Sequence, residues 1–235
     1  MAAERWKSSR TAHHCRTRIS PTPLRAQDAR VKGPCIVGIT GGIGCGKSEV
    51  GRILSGLGVD VLEADELAHS CLDPRGPAYV NVVREFGRGI LDAEGRIDRR
   101  RLAGIVFGDP ARLAKLNDMI HPVVREAWRK WIRLRRETRQ DAAVIIPLLF
   151  EIGETGVWDA VICVASRPEH VFERLRRRGM RSDHIRARMS AQMPLDEKCR
   201  LADFVIHNDG SLKQLQAQTI RMWRQVKSRQ RSEKR

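Results

Sequence analysis

The sequence predicts an α/β fold, a three-layer α/β/α domain on a five-stranded parallel sheet, and two observations carry that expectation. Apolar runs of strand length at 35–40, 58–63, 142–147, 160–165 and 203–207 alternate with stretches of helical periodicity, the pattern of a parallel sheet with helices on both faces. The first run feeds directly into Gly41-Gly42-Ile43-Gly44-Cys45-Gly46-Lys47-Ser48, a G-x-x-x-x-G-K-S loop between a strand and a helix.

In chain order, residues 1–32 come first as a basic extension. They hold eight Lys/Arg against Glu4 and Asp28 and lack the apolar stretch of a secretory signal. Their Arg-rich, acid-poor composition fits an organellar transit peptide; an upstream start codon or a disordered extension is the weightier alternative, because Pro21, Pro23 and Pro34 interrupt any long helix.

The glycine loop follows, and it reads as the P-loop of an NTP-binding protein. Glycines at 41, 42, 44 and 46 let the backbone turn its N–H groups onto a polyphosphate. Ile43 and Cys45 complete the cradle, Lys47 reaches the β- and γ-phosphates, and Ser48 offers a hydroxyl to Mg²⁺. A helix from about 46 to 57 points its positive end at the same place. Asp65 lies just past the second strand, where open α/β sheets hold their ligands. It also suits a helix N-cap, and both roles are open to it.

Between the second and third strands lies a stretch too long for one crossover. It reads as a helical insertion over 66–139, with helices at 66–72, 77–87, 99–107, 110–119 and 123–139. On the last of these, Val124, Ala127, Trp128 and Trp131 recur at helical spacing, a core stripe rather than a stacking platform. After the fourth strand, Pro168 starts a helix carrying Arg174 and Arg178, followed by a short helix over 182–192 with Arg186 and Arg188. Such arginines are either a solvated face or a lid, expected at about 178–192, that stabilises charge during phosphoryl transfer.

The net charge of +16 belongs mainly to the termini: +6 in 1–32, +6 in a basic C-terminal tail over 221–235, and +4 in the body over 33–220. That distribution argues against specific nucleic-acid binding by the body and leaves the tails weak nonspecific contacts at most. The six cysteines form no C-x-x-C pair, as expected of reduced thiols in a cytoplasmic protein. Cys45 is a small filler in the loop, although a helix N-terminus there would favour its thiolate. No apolar run reaches the roughly 18 residues of a membrane span.

The ordered series of motifs resembles one family, dephospho-CoA kinase, over nearly all of 35–220. The resemblance rests on the stretch from Gly38 to Ser48, Ala64-Asp65, Phe86-Gly87 with Ile90-Leu91, and Gly95-Arg96-Ile97-Asp98-Arg99-Arg100. Phe107-Gly108-Asp109-Pro110, Leu116-Asn117, Ile120-His121-Pro122, Pro147-Leu148-Leu149-Phe150-Glu151, Ala191-Gln192 and the stretch from Asp203 to Ser211 complete it.

The resemblance implies ATP as phosphoryl donor with Mg²⁺, and the ribose 3′-hydroxyl of dephospho-CoA as acceptor. It makes Asp65 the residue that orients or deprotonates that hydroxyl and the insertion an acceptor-binding domain, with Arg99 as its anion contact. His121 either assists substrate binding or packs a helix start. Arg174 corresponds to a phosphate-contacting arginine near the lid, with Arg178 one turn on, and Asn208 lies in the turn beside the adenine of ATP. Two departures stand out. Glu63-Ala64-Asp65 replaces the frequent Asp-Ala-Asp, and no acid precedes Glu151 on the third strand. Metal ligation then falls to Ser48, phosphate oxygens, water and Asp65. The rival readings are another P-loop nucleoside or nucleotide kinase, and a nucleic-acid-binding NTPase.

Overall fold

The five apolar runs become β1 (Ile36–Gly41), β2 (Asp60–Glu63), β3 (Ala142–Ile145), β4 (Ala160–Ala165) and β5 (Phe204–His207). All pairings are parallel, in the order β2-β3-β1-β4-β5. The structure, a computed structural model, describes residues 33–106 and 108–233. The expectations for the 1–32 extension and for Phe107 fall outside these residues.

Strand side chains alternate between two cores, as a period of two requires. Val37, Ile39, Ala143 and Ile145 face one core, while Ile36, Ala142, Val144 and Ile146 face the other. The first core is closed by α1 (Lys47–Gly56) and by helices from the C-terminal third. The second is closed by the insertion, made of α2 (Ala64–Cys71), α3 (Tyr79–Phe86), α4 (Arg99–Val106) and α5 (Pro110–Glu137).

Helix α5 starts where Asp109 accepts the N–H groups of Ala111 and Arg112 at 3.0 and 3.2 Å, with Pro110 at its first position. Two helices were expected on either side of Pro122. One continuous helix runs through it instead, because Leu116, Val124, Trp128 and Ile132 form a single buried stripe whose packing outweighs the lost N–H.

After β4 come α6 (Pro168–Arg177), α7 (Ser182–Ser190) and α8 (Leu195–Leu201), then β5 and α9 (Leu212–Glu233). The stretch from 221 expected as a basic tail is instead helical as far as Glu233. Helix α9 continues through that stretch, burying Met222, Trp223 and Val226 in the first core. Lys227 meets both oxygens of Asp141 at 2.7 and 2.8 Å, and Asp141 in turn accepts the N–H of Cys35 at 2.8 Å. Part of the C-terminal charge is therefore structural, which a count of lysines and arginines does not reveal. Residues 234–235 are outside the described part.

Register sets the site. Ile39 and Glu63 both pair with Ile145 of the intervening strand, so the ends of β1 and β2 are level. The chain leaves β1 into the glycine loop and leaves β2 toward Asp65, which brings both to the same carboxyl edge of the sheet.

Candidate active site

The loop's glycines answer definite steric demands. Gly41 has φ of 138°, and a Cβ there would lie 2.1 Å from the carbonyl oxygen of Val164 on β4. Gly46 is left-handed at φ 98°, where a Cβ would meet Asn208 Nδ2 at 2.2 Å. That amide donates to the Cys45 carbonyl at 2.9 Å, while Arg174 donates to the Asn208 carbonyl at 2.6 Å and to Ser166 Oγ at 3.1 Å. Asn208 and Arg174 thus brace the back of the loop. Cys45 is buried, and that burial raises its thiol pKa against the opposing pull of Lys47; the small-filler role fits, and a favoured thiolate does not.

Lys47 donates to the carbonyls of Gly41 and Gly42 at 3.0 and 2.8 Å. Burial holds its pKa below the ordinary lysine value, and the nearby Lys198 ammonium pushes the same way. A desolvated ammonium at a helix N-terminus favours an arriving anion.

In front of the loop lies a cavity of about 450 Å³. Ile43, Gly44, Lys47 and Ser48 form its floor, with Glu63 and Asp65 on one side and Arg188 and Gln192 on the other. Gln192 Oε1 accepts the Ile43 N–H at 2.9 Å, tying the α7–α8 link to the loop. That link is pinned at its base as well. Lys198, fully buried, lies 2.7 Å from Glu151 Oε1 and donates to the Pro147 carbonyl at 2.8 Å. Glu151 also accepts the Met193 N–H at 3.0 Å.

A second cavity, of about 210 Å³, adjoins the first, and Asp65, Pro147 and Leu148 line both. Asn117, His121, Arg125 and Trp128, spaced along one side of α5, form its far wall. Trp128 is 1% exposed and stacks on Trp158 at 5.3 Å between ring centroids, so the expected core residue is also a cavity wall. His121 titrates below the ordinary histidine value, chiefly through burial and then through the Arg125 charge.

Asp65 sits in the first turn of α2, Glu63 is the N-cap, and neither makes a side-chain capping bond. Among the described residues Asp65 accepts no hydrogen bond, so its carboxylate remains exposed at the junction of the two cavities. Arg99 and Arg178 line neither cavity; both are exposed, at the start of α4 and the C-cap of α6. The arginine that does face the loop is Arg188. Its type and helix were visible in the sequence, but which of several arginines faced inward was not. Arg125 gave no sequence signal beyond lying four residues after His121.

A family model described as dephospho-CoA kinase matches residues 35–214. A dephospho-CoA kinase of Carboxydothermus hydrogenoformans is 43% identical over 187 residues, 79% of this chain and 91% of the relative. One from Syntrophus aciditrophicus is 38% identical over 198 residues, 83% and 84% of the two chains. Among solved structures, a Thermus thermophilus protein aligns with a TM-score of 0.69 at 37% identity, covering 82% of this chain and 97% of that one. Dephospho-CoA kinase from Campylobacter jejuni aligns with a TM-score of 0.58 at 26% identity, covering 81% and 96%.

Proposed function

The chain belongs to the dephospho-CoA kinase family, and we propose that its two adjoining cavities hold the two substrates of that reaction. ATP donates its γ-phosphoryl group to the ribose 3′-hydroxyl of dephospho-CoA, giving coenzyme A and ADP. The observation that carries the assignment of cavities is the shared wall: Asp65 stands where a donor held by the loop and an acceptor in the second cavity would meet.

On this reading the loop's backbone N–H groups and Lys47 hold the β- and γ-phosphates. Asp65 orients the 3′-hydroxyl and takes its proton late, as the oxygen bonds to the γ-phosphorus and the bond to the β,γ-bridging oxygen breaks. Arg188 and Gln192 cover the transferring group, exclude water and, through the guanidinium, offset the charge spread over its oxygens. Arg174 and Asn208 act behind the loop by fixing its shape, and His121 contributes to the acceptor wall.

Ser48, Glu63 and Asp65 bring hard oxygen donors to one cavity. Among the described residues no cluster of three or more His, Cys, Asp or Glu could hold an ion. That donor set suits Mg²⁺, which is held by few protein ligands with water and substrate phosphates completing its shell. When bound it would neutralise phosphate charge.

The test is an acceptor screen with the full chain and Mg-ATP. Conversion of dephospho-CoA to coenzyme A is expected. Phosphorylation of nucleoside monophosphates without coenzyme A formation would overturn the reading.

A further inference from the structure

The second cavity has an apolar face of Val124, Trp128 and Ile152, and beside it a single arginine, Arg125. Behind that arginine lies Glu154, a carboxylate whose side chain is only 7% exposed. Arg125 Nε is 2.7 Å from Glu154 Oε1, and Arg129 Nη2 is 3.1 Å from Oε2. One buried negative charge thus faces two positive ones, leaving the cluster with a net positive charge. Removing a guanidinium would leave the carboxylate undercompensated in a low dielectric, so both are held strongly in place. Glu154 is itself fixed, since its carbonyl accepts the Trp158 Nε1–H at 2.5 Å and Trp158 stacks on the cavity wall Trp128.

Arg125 does not spend its donors on this contact. The Nε–Oε1 approach has ion-pair distance without hydrogen-bond alignment, and Nε has no hydrogen-bond partner. Among the described residues no other hydrogen bond is made by this side chain, which is 40% exposed. The side chain lines the cavity with its terminal nitrogens free of hydrogen bonds among the described residues, and a guanidinium fork has the geometry that pairs bidentately with phosphate oxygens.

We infer that Arg125 is the anion contact of the acceptor cavity and takes the acceptor's diphosphate, and that Glu154 is the residue that positions it. The inference rests on the proposed reading of the second cavity, and it moves the anion contact from Arg99, which lies outside that cavity, to α5.

Steady-state kinetics of the full chain test this. In Arg125→Gln the KM for dephospho-CoA should rise about 10- to 100-fold, the loss of a charge-assisted contact, with the KM for ATP within about twofold of the unsubstituted value. Arg125→Lys should recover part of the loss, because it keeps the charge but not the fork. Glu154→Gln should raise the same KM by a smaller factor, since Arg129 still flanks the site. A cooperative thermal melt shows that each variant is folded; should Arg125→Gln fail to fold, Arg125→Lys carries the comparison. An acceptor KM unchanged within about twofold, or both KM values rising together, overturns the inference. Failure of the unsubstituted chain to form coenzyme A is a separate result that overturns the functional reading itself.

Discussion

The two halves of the proposed site are built from different materials. The donor half is eight consecutive residues whose active parts are backbone N–H groups, shaped by glycines that cannot be replaced without collision at 41 and 46. The proposed acceptor half is assembled from side chains on α2, α5 and the segment after β3, from Ala64 to Ile152, 88 positions apart in the chain. A site made of backbone is written locally and must keep its local spelling. A site made of side chains is written only in the fold, and its residues acquire meaning once helices have packed.

Replacing one residue in the donor half and one at the junction should separate the two kinds of construction most strongly. Lys47→Met removes the one cation inside the loop; turnover should fall by about a thousandfold or more and ATP binding should weaken with it. Asp65→Asn should lower kcat by about a hundred- to ten-thousandfold while leaving ATP affinity within about twofold. Calorimetric ATP titration beside steady-state kinetics distinguishes them. Full activity in Asp65→Asn would end its catalytic assignment.

A smaller effect tests the cover of the donor cavity. Arg188→Gln should cost about 10- to 100-fold in kcat, whereas Arg178→Gln should stay within about twofold, because only Arg188 faces the loop. Equal losses would mean that α6 contributes its terminal arginine when substrate is bound, and the assignment of the cover to α7 would have to be shared.

These contrasts explain what could be read in advance. The strand at 160–165 and the glycine loop were legible because a continuous apolar run of strand length, buried at every residue, and glycine spacing are local signals. The placement of Asp65 beside a cavity was legible because the carboxyl edge of a parallel sheet is a general location for ligands. Helix α9 was not, since its lysines and arginines dominate its composition while only Met222, Trp223 and Val226 reveal the buried side. Arg99 and Arg125 are equally basic and both lie in the insertion. Nothing local separates them, because the difference is a buried carboxylate, Glu154, brought to Arg125 by the packing of α5 against the segment before β4.

The smallest expected effect concerns pH and lies wholly in the acceptor half. Burial, and secondarily the Arg125 charge, hold the His121 pKa below its ordinary value. As pH falls, the unfolded chain therefore takes up this proton before the folded one, and the fold loses stability on descending through the ordinary histidine range. The loss stops growing once pH is below the folded value, where both states are protonated. His121→Gln removes this titration, so its melting temperature should decline less steeply than that of the unsubstituted chain from neutral pH into the acid range. Parallel decline would show that the imidazole is not desolvated in solution. An acceptor diphosphate paired with Arg125 should weaken the same depression by offsetting the guanidinium charge, so saturating dephospho-CoA should raise the His121 pKa followed by NMR in the unsubstituted chain, and should raise it less in Arg125→Gln.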